Sequence, residues 1–103
     1  MSSTDYEFDW DDAKATTNLR KHEVDFRDAM TVLLDPMAMT FHDIDQSQDE
    51  ERWVSVGRSS SDKLLVVIHT FVATGPNNAL VRIISARAAT RQECKQYEQG
   101  TLQ

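Results

Sequence analysis

Hydrophobic and polar residues alternate at the start of the chain, as they do in a strand. The hydrophobic residues then recur at helical spacing as far as Pro36. The segment YEFDW places its three aromatic side chains on one face of a short strand and its two acids on the other. A first helix is capped by Asp11 or Asp12 and runs to about His22. A second helix follows Asp25, a good N-cap residue, and ends before the Asp-Pro pair. We expect these two short helices to pack as a pair.

After Pro36 the pattern changes to the alternation that is typical of strands. The segments AMTF and RWVSVGRS are candidate strands, and KLLVVIHTFVA is the strongest candidate because it is apolar on both faces. A turn at TGPNN returns the chain through ALVRIISARA. Thr90 then begins a helix with the capping box TRQE, and Gly100 is placed to end it.

This order of elements predicts one α+β domain over residues 1–103, with a core of about residues 6–100. It consists of a short strand, two N-terminal helices, an antiparallel sheet of three to four strands and one C-terminal helix. Short connections between successive strands favour the antiparallel arrangement. The helices are expected mainly on one face of the sheet, which leaves the other face open for function.

The net charge of −6 is divided unevenly along the chain. Residues 1–51 contain 4 Lys and Arg against 14 Asp and Glu, a net charge of −10, whereas residues 52–103 contain 7 against 3, a net charge of +4. An anionic ligand is therefore expected to bind the second half. The acidic half repels nucleic acid from other surfaces or is simply a solvated face.

The sequence shows no sign of export or membrane insertion. Its N-terminus is acidic and lacks the basic flank and apolar stretch of a signal peptide, and its longest aliphatic run, residues 64–68, is too short to span a bilayer. Cys94 is the one cysteine, so neither an internal disulfide nor a cysteine zinc site is expected. We expect a cytoplasmic protein without membrane contact.

Two arginines interrupt the apolar segment LVRIISARA, and a buried guanidinium needs a partner. In a regular strand Arg82 and Arg87 point to opposite faces, so they share one ligand only if a bulge or the strand end re-aims one of them. Ser85 shares the face of Arg87, which lies beside the N-terminus of the last helix, where an anion is favoured. The alternative for both arginines is an ion pair with carboxylates of the acidic half.

Three other side chains have a structural and a chemical interpretation. His69, within LVVIHTF, is either a hydrogen-bonded core residue or a proton carrier that reaches a cleft. His22 is equally ambiguous, although its place near a helix C-terminus is favourable on dipole grounds alone. Tyr97 suits the docking of the last helix on the sheet, and its hydroxyl could line a site at the edge of that contact.

No metal or cofactor is predicted. The acidic segment from Asp43 onward alternates like an EF-hand loop, but Gln48 stands where the tight turn needs glycine and Val54 stands where the bidentate glutamate belongs. The sequence also has no glycine-rich phosphate loop, no nucleophile elbow and no cluster of cysteine and histidine.

Three segments in order, FDWDDAKATTNLRKHEVDF, ERWVSVGRS and RIISARAATRQECKQYEQG, resemble the BrnT family of toxins from bacterial type II toxin-antitoxin pairs. The resemblance covers about residues 6–100. It implies a RelE-like fold and a metal-independent endoribonuclease that blocks translation. It also implies a BrnA-type antitoxin, which neutralises the toxin and binds operator DNA, so that this chain meets DNA only through its partner.

Cleavage of RNA through its 2′-hydroxyl needs a base, an acid and cations at the crowded phosphate. Arg87 is the first candidate for stabilising the phosphate, with Arg58 and Arg82 as weaker helpers. His69 is the candidate acid or base, and Tyr97 is a candidate assistant. The candidates for binding the RNA substrate are Ser85, Lys14 and Lys21.

The chain departs from the family pattern at two places. Members often have TERG before a tight hairpin, where this chain reads TFVATGPNN, and they often have SARKA, where this chain has SARAA. Ala88 thus replaces a lysine beside the predicted site. An alternative function is therefore a catalytically weak BrnT-like domain that binds its antitoxin and acts as a co-repressor.

Overall fold

A computed structural model describes residues 5–43 and 51–100, which form three α-helices, one 3₁₀ helix and six strands. In chain order, the elements are β1 (Asp5–Asp9), α1 (Asp12–His22), α2 (Phe26–Ala29), a 3₁₀ helix (Met30–Leu34), β2 (Met39–His42), β3 (Trp53–Arg58), β4 (Leu64–His69), β5 (Val72–Gly75), β6 (Asn78–Ala88) and α3 (Arg91–Gln99).

The helix boundaries follow the local capping signals. The Asp11 side chain accepts from the Lys14 amide at 3.0 Å at the start of α1, and the Asp25 side chain accepts from the amide of Arg27 at the start of α2. Thr90 and Glu93 form both hydrogen bonds of the capping box on α3, and Gly100 ends that helix with φ 74°. These predicted caps are confirmed.

The second predicted helix is wrong in its type, because α2 covers one turn and then tightens into the 3₁₀ helix. The Thr31 hydroxyl donates to the carbonyl oxygen of Asp28, three residues earlier, at 2.6 Å. A side-chain hydrogen bond of this kind competes with the α-helical ladder. The sequence pattern of apolar positions is compatible with both helix types and could not separate them.

The sheet has six strands in the order β1-β6-β4-β3-β2, with β5 also paired to β6. The prediction of three to four antiparallel strands is therefore wrong in two respects. KLLVVIHTFVA is not one strand, since it breaks after His69 into β4 and β5. β1 also joins the sheet and pairs with β6 in parallel, while the other pairs are antiparallel.

Helices cover both faces of the sheet, so the predicted open face is also wrong. On one face α1 and α2 bury a core that includes Phe26, Val32, Val67 and Ile83. On the opposite face α3 packs through Tyr97 against a smaller apolar cluster formed by β3 and β4. The continuous apolar sequence of β4 agrees with this arrangement, because a strand that is apolar on both faces needs packing on both faces.

A bulge in β6 decides where its arginines point. Ile68 pairs with Ser85 but His69 pairs with Ile83, so Ile84 is one extra residue in β6. Ile83 faces the α1 side, and its neighbour Arg82 therefore lies on the α3 side. Arg87 also lies on the α3 side, opposite Val66 of β4. The bulge thus brings Arg82, Ser85 and Arg87 to one face, which is the arrangement that a regular strand excludes.

Asn18 of α1 closes the part of the β6 edge that β1 leaves unpaired. Its side-chain oxygen accepts from the Ala86 amide at 3.0 Å, and its side-chain nitrogen donates to the Ala86 carbonyl at 2.9 Å and the Val24 carbonyl at 3.0 Å. The carboxamide therefore replaces a neighbouring strand at this point. Asn18 is buried, and these bonds fix α1 beside the bulge.

Candidate functional site

The predicted arginines are each held by a carboxylate. Arg87 forms a two-pronged pair with Glu93, with nitrogen to oxygen distances of 2.8 and 3.0 Å. Arg82 Nη2 lies 3.4 Å from Asp9 Oδ2, and Arg58 Nη1 lies 3.0 Å from an oxygen of Asp62. For Arg82 the partner comes from the acidic half, as the alternative interpretation expected, whereas Arg87 is paired within its own half.

The pair of Arg87 and Glu93 is built into the start of α3. Glu93 also accepts from the amide of Thr90, and the bond from the Arg87 guanidinium together with this amide lowers the pKa of Glu93 to about 2. The Arg87 side chain remains 43% exposed. Both terminal nitrogens of Arg87 are thus engaged, and Nη1 also donates to the Ala88 carbonyl at 3.3 Å. An anion can approach only the exposed part of this side chain.

Arg58 and Tyr97 meet at Asp35, on the α3 face. The Tyr97 hydroxyl donates to Asp35 Oδ2 at 2.6 Å, and the amide of Arg58 donates to the same oxygen at 2.8 Å. Burial opposes the ionisation of Asp35, but these two donors hold the pKa of its carboxyl below the usual value. The bond to Asp35 in turn raises the pKa of Tyr97. The predicted Tyr97 hydroxyl is thus engaged in docking α3.

His69 is buried completely, and both of its ring nitrogens have partners. Nδ1 lies 2.9 Å from the carbonyl oxygen of Thr70, which only accepts, so Nδ1 carries the proton and Nε2 accepts from the Ser55 hydroxyl at 2.7 Å. Burial lowers the pKa of His69 and favours its neutral form. Of the two interpretations of His69, the structure shows the hydrogen-bonded core residue, and its catalytic role stays a prediction.

A groove that contains several charged side chains runs between α1 and β6, next to the bulge. It consists of two adjoining clefts that share Lys14 and Ile84. The other polar side chains of the first cleft are Asp9, Asp11, Arg52 and Arg82, and those of the second include Lys21, His22 and Ser85. We call this feature the α1–β6 groove. It brings together Lys14, Lys21 and Ser85, which are the three predicted substrate-binding residues.

The lysines of the α1–β6 groove differ from the three predicted arginines, each of which has a carboxylate partner. Within residues 5–43 and 51–100, no carboxylate pairs with the ammonium group of Lys14 or Lys21. Both side chains are exposed. Of the two acids in the first cleft, Asp9 pairs with Arg82 and Asp11 caps α1. The groove therefore offers two uncompensated positive charges to an anionic ligand.

His22 is a groove residue that the sequence prediction set aside. It is exposed and lines the second cleft together with Lys21 and Ser85. A signal for this grouping was present, because Lys14, Asn18, Lys21 and His22 recur at i, i+4, i+7 and i+8 and so share one helix face. The missing information was that Asn18 turns this face toward β6.

Across the described ranges, no group of three or more His, Cys, Asp or Glu side chains is arranged to hold a metal ion. Residues 44–50, which contain most of the segment considered as a calcium loop, lie outside the described residues. No helix within the described part of the chain is both long enough and apolar enough to cross a membrane.

Comparison with known proteins now places the chain in a family. The model of a family described as "Ribonuclease toxin, BrnT, of type II toxin-antitoxin system" matches residues 10–93. The chain belongs to the BrnT family. This confirms the resemblance seen in the three sequence segments, and the matched range contains Arg87 and all of the α1–β6 groove except Asp9. None of the curated proteins matches the chain significantly.

A solved BrnT structure supports the same assignment. The 1.1 Å crystal structure of the Brucella abortus ribonuclease toxin BrnT matches with a TM-score of 0.60 and 25% sequence identity, over 84% of this chain and all of that one. Neither comparison names a RelE-like architecture, which stays a prediction. As a BrnT protein, the chain is a toxin of a type II system and has an antitoxin as its expected partner.

Proposed function

We propose that this BrnT protein is a metal-independent endoribonuclease that cleaves RNA, blocks translation in the cytoplasm and is neutralised by a BrnA-type antitoxin. The observation that supports this most is the α1–β6 groove, where Lys14 and Lys21 have no carboxylate partner among the described residues and share one cleft with the exposed imidazole of His22. With a net charge of −6, the chain meets operator DNA through its antitoxin rather than directly.

RNA binds in the groove through its phosphates. Lys14 and Lys21 are seven residues apart on α1, or about 10 Å along the helix axis, so each contacts a different phosphate of one strand. Ser85 lines the same groove and donates its hydroxyl to a phosphate oxygen. Arg87 lines neither cleft, but it lies two residues beyond Ser85 on the same face of β6, about 7 Å along the strand.

The chemistry needs proton transfer and charge stabilisation at one phosphodiester. The RNA 2′-oxygen forms a bond to phosphorus as its proton passes to the imidazole of His22, and the bond from phosphorus to the 5′-oxygen breaks. The leaving 5′-oxygen takes a proton from solvent, and the exposed His22 imidazolium returns its proton to solvent. The products are a 2′,3′-cyclic phosphate and a 5′-hydroxyl. Arg87 stabilises the extra negative charge in the transition state, with Arg58 and Arg82 contributing to the field of the α3 face.

The test is to express the protein alone and follow growth and messenger RNA integrity. We expect the unaltered protein to stop growth and cleave RNA, while Lys14→Gln with Lys21→Gln, and separately Arg87→Ala, restore growth. In purified form Arg87→Ala should reduce cleavage about 100-fold, the usual effect of losing one charge-stabilising donor. Lys95→Gln removes an exposed charge from α3, away from the groove, and should leave toxicity unchanged.

The alternative function, a catalytically weak domain that acts with its antitoxin as a co-repressor, also has structural support. All three predicted catalytic arginines already have carboxylate partners, and Ala88, at the exposed end of β6, supplies no cation. Intact RNA after induction of the unaltered protein, together with antitoxin binding, would favour this alternative and contradict the ribonuclease proposal.

A further inference from the structure

The first cleft of the α1–β6 groove has a different lining from the second. It encloses about 330 Å³, at the small end of the range for ligand pockets. An aromatic residue and charges of both signs form its walls: Trp10, Asp9, Asp11, Lys14, Arg52 and Arg82. A phosphate placed there would be repelled by the two carboxylates. The lining therefore fits a part of the RNA that is neutral and carries both hydrogen-bond donors and acceptors.

Trp10 supplies an aromatic wall at the end of β1. Its side chain is half-buried, and its ring centroid lies 6.0 Å from that of Phe26 at an interplanar angle of 79°. Phe26 is fully buried, so this contact fixes the indole in place. Nucleobases stack on aromatic side chains whatever their identity, because every base has a π-face. The cleft can thus hold a base.

Asp11 carries an acceptor that the fold does not use. Its Oδ1 accepts from the Lys14 amide at the start of α1. Its Oδ2 has no hydrogen-bond partner among residues 5–43 and 51–100. Asp11 is exposed and lines the cleft, so this oxygen is available to a ligand. Because an ionised carboxylate only accepts, the ligand must present an N–H donor.

Arg82 supplies donors to the same cleft. Its Nη2 lies 3.4 Å from Asp9 Oδ2, whereas its Nη1 and Nε have no partner within the described part of the chain. The side chain is 54% exposed. Arginine commonly recognises guanine by donating to O6 and N7 together. The cleft can therefore engage the acceptors of a base as well as its donors.

Guanine is the base that matches these groups best. It presents two adjacent N–H donors, at N1 and N2, and two adjacent acceptors, O6 and N7. Adenine and cytosine present an amino group but no pair of O6 and N7, and uracil presents one N–H and no N7. Only guanine therefore uses both the carboxylate and the guanidinium fully.

We propose that the first cleft binds a guanine base of the RNA, with Trp10 stacked on the base, Asp11 accepting from its N1 and N2 groups and Arg82 donating to its O6 and N7. The proposal rests on the proposed function in taking RNA as the ligand, but it does not need cleavage. Lys14 lines both clefts, so a guanine held here brings a neighbouring phosphate of the same strand toward His22 in the second cleft. The first cleft thus directs cleavage to bonds close to guanine.

The test measures binding without cleavage. Four 2′-O-methyl octamers of adenine carry guanine, adenine, cytosine or uracil at one central position, and fluorescence anisotropy gives the affinity of the full chain for each. We expect the guanine octamer to bind about tenfold more tightly than the others, as one well-placed pair of hydrogen bonds to a base provides. Guanosine 5′-monophosphate lacks the neighbouring phosphates, so it should compete at least about tenfold more weakly than the unlabelled guanine octamer.

Asp11→Asn changes the base recognition and keeps the helix. Asparagine is as good an N-cap as aspartate, while its carboxamide nitrogen replaces an acceptor by a donor. We expect the ratio of affinities for the guanine and adenine octamers to fall from about tenfold to about one. Asp25→Asn is the matched control, since it removes the same charge from the N-cap of α2, outside the groove, and should keep the ratio of the unaltered protein.

Trp10→Leu tests the stacking. It should weaken the binding of all four octamers by about tenfold without changing their ratios, because stacking does not depend on the identity of the base. Trp10→Phe keeps an aromatic ring and should bind nearly as tightly as the unaltered protein. Circular dichroism checks that both variants keep the fold, and Asp11→Asn tests the proposal whether or not they do.

Equal affinity of the unaltered protein for the four octamers would overturn the proposal, as would a guanine preference that Asp11→Asn retains in full. Competition by guanosine 5′-monophosphate that equals competition by the guanine octamer would overturn it in favour of a free nucleotide. A guanine preference in a protein that leaves unmodified RNA intact contradicts the ribonuclease proposal and supports this one. Failure to bind any octamer would contradict both.

Discussion

Among single residues, a cationic side chain is available to an anionic ligand mainly when no carboxylate already pairs with it. Arg87 was the first candidate for the phosphate, yet Glu93 holds its guanidinium at 2.8 and 3.0 Å. An ion pair of this geometry fixes the side chain and reduces the charge that a ligand meets. Lys14 and Lys21, which were candidates for binding the RNA substrate, have no carboxylate partner among the described residues.

The pair of Glu93 and Arg87 should make stability depend on pH in the acidic range. The pKa of Glu93 falls from 4.5 to about 2 on folding, so its stabilisation is complete above about pH 4.5 and is lost as pH falls toward 2. Glu93→Gln keeps the capping box but loses the ion pair. At pH 7 we expect it to lower the free energy of unfolding by about 1–2 kcal/mol, allowing for the partial exposure of Arg87.

Urea unfolding at several pH values measures this effect. The difference in stability between the unaltered protein and Glu93→Gln should shrink as pH is lowered from 4.5 to 2. A difference that stays constant over this interval would show that Arg87 does not lower the pKa of Glu93 in solution.

At the level of secondary-structure elements, the hydrogen bonds of one buried side chain fix α1 against β6. Asn18 makes three hydrogen bonds, to Val24 and to both backbone groups of Ala86. These bonds hold the face with Lys14 and His22 against β6 and so create the α1–β6 groove. The bulge in β6 contributes the other wall, through Ile84 and Ser85.

Asn18→Ala should therefore cost more stability than the loss of a polar surface residue. It leaves the amide and carbonyl of Ala86 and the carbonyl of Val24 without their partner in a buried place, which we expect to lower the free energy of unfolding by about 2–4 kcal/mol. Thr17→Ala, exposed on the same helix, should change it by less than about 0.5 kcal/mol. Equal losses for the two variants in urea unfolding would contradict this role of Asn18.

In the whole molecule, the acidic and the basic residues are concentrated in different halves of the sequence. The folded protein does not keep these two groups of charges apart in the same way. The first half carries −10 and the second +4, yet two of the groove cations, Lys14 and Lys21, come from the acidic half. The sequence prediction that an anion binds the second half is therefore incomplete, because α1 folds its lysines next to β6.

RNA binding should accordingly depend on salt through these two lysines. For single strands the slope of log K against log salt is about −0.7 for each phosphate neutralised, so the double variant Lys14→Gln with Lys21→Gln should reduce the slope by about 1.4. Fluorescence anisotropy with a 2′-O-methyl RNA, which resists cleavage through the 2′-position, measures it. An unchanged slope would show that RNA phosphates do not contact these lysines, and Lys95→Gln serves as the control.

Much of the local structure could be predicted from the sequence because its causes lie within a few residues. Asp11, Asp25 and the pair of Thr90 and Glu93 cap their helices as expected, and Gly100 ends α3. The face of β1 that bears the aromatic residues is also as predicted. The family followed from three segments in order, which the family model confirmed over residues 10–93.

The sequence by itself thus determined the helix caps, the apolar faces and the family. Only the tertiary structure decided the parallel pairing of β1 with β6, the place of α3 on the second face, the bulge at Ile84 and the partner of each arginine. The physical reason is range: a cap is formed by atoms within one helical turn, whereas Asn18 and Ala86, or Arg82 and Asp9, meet only after the chain between them has folded. Whether a carboxylate neutralises a given cation depends on such contacts between residues far apart in the sequence. For this reason the α1–β6 groove, and not Arg87 alone, is the candidate site.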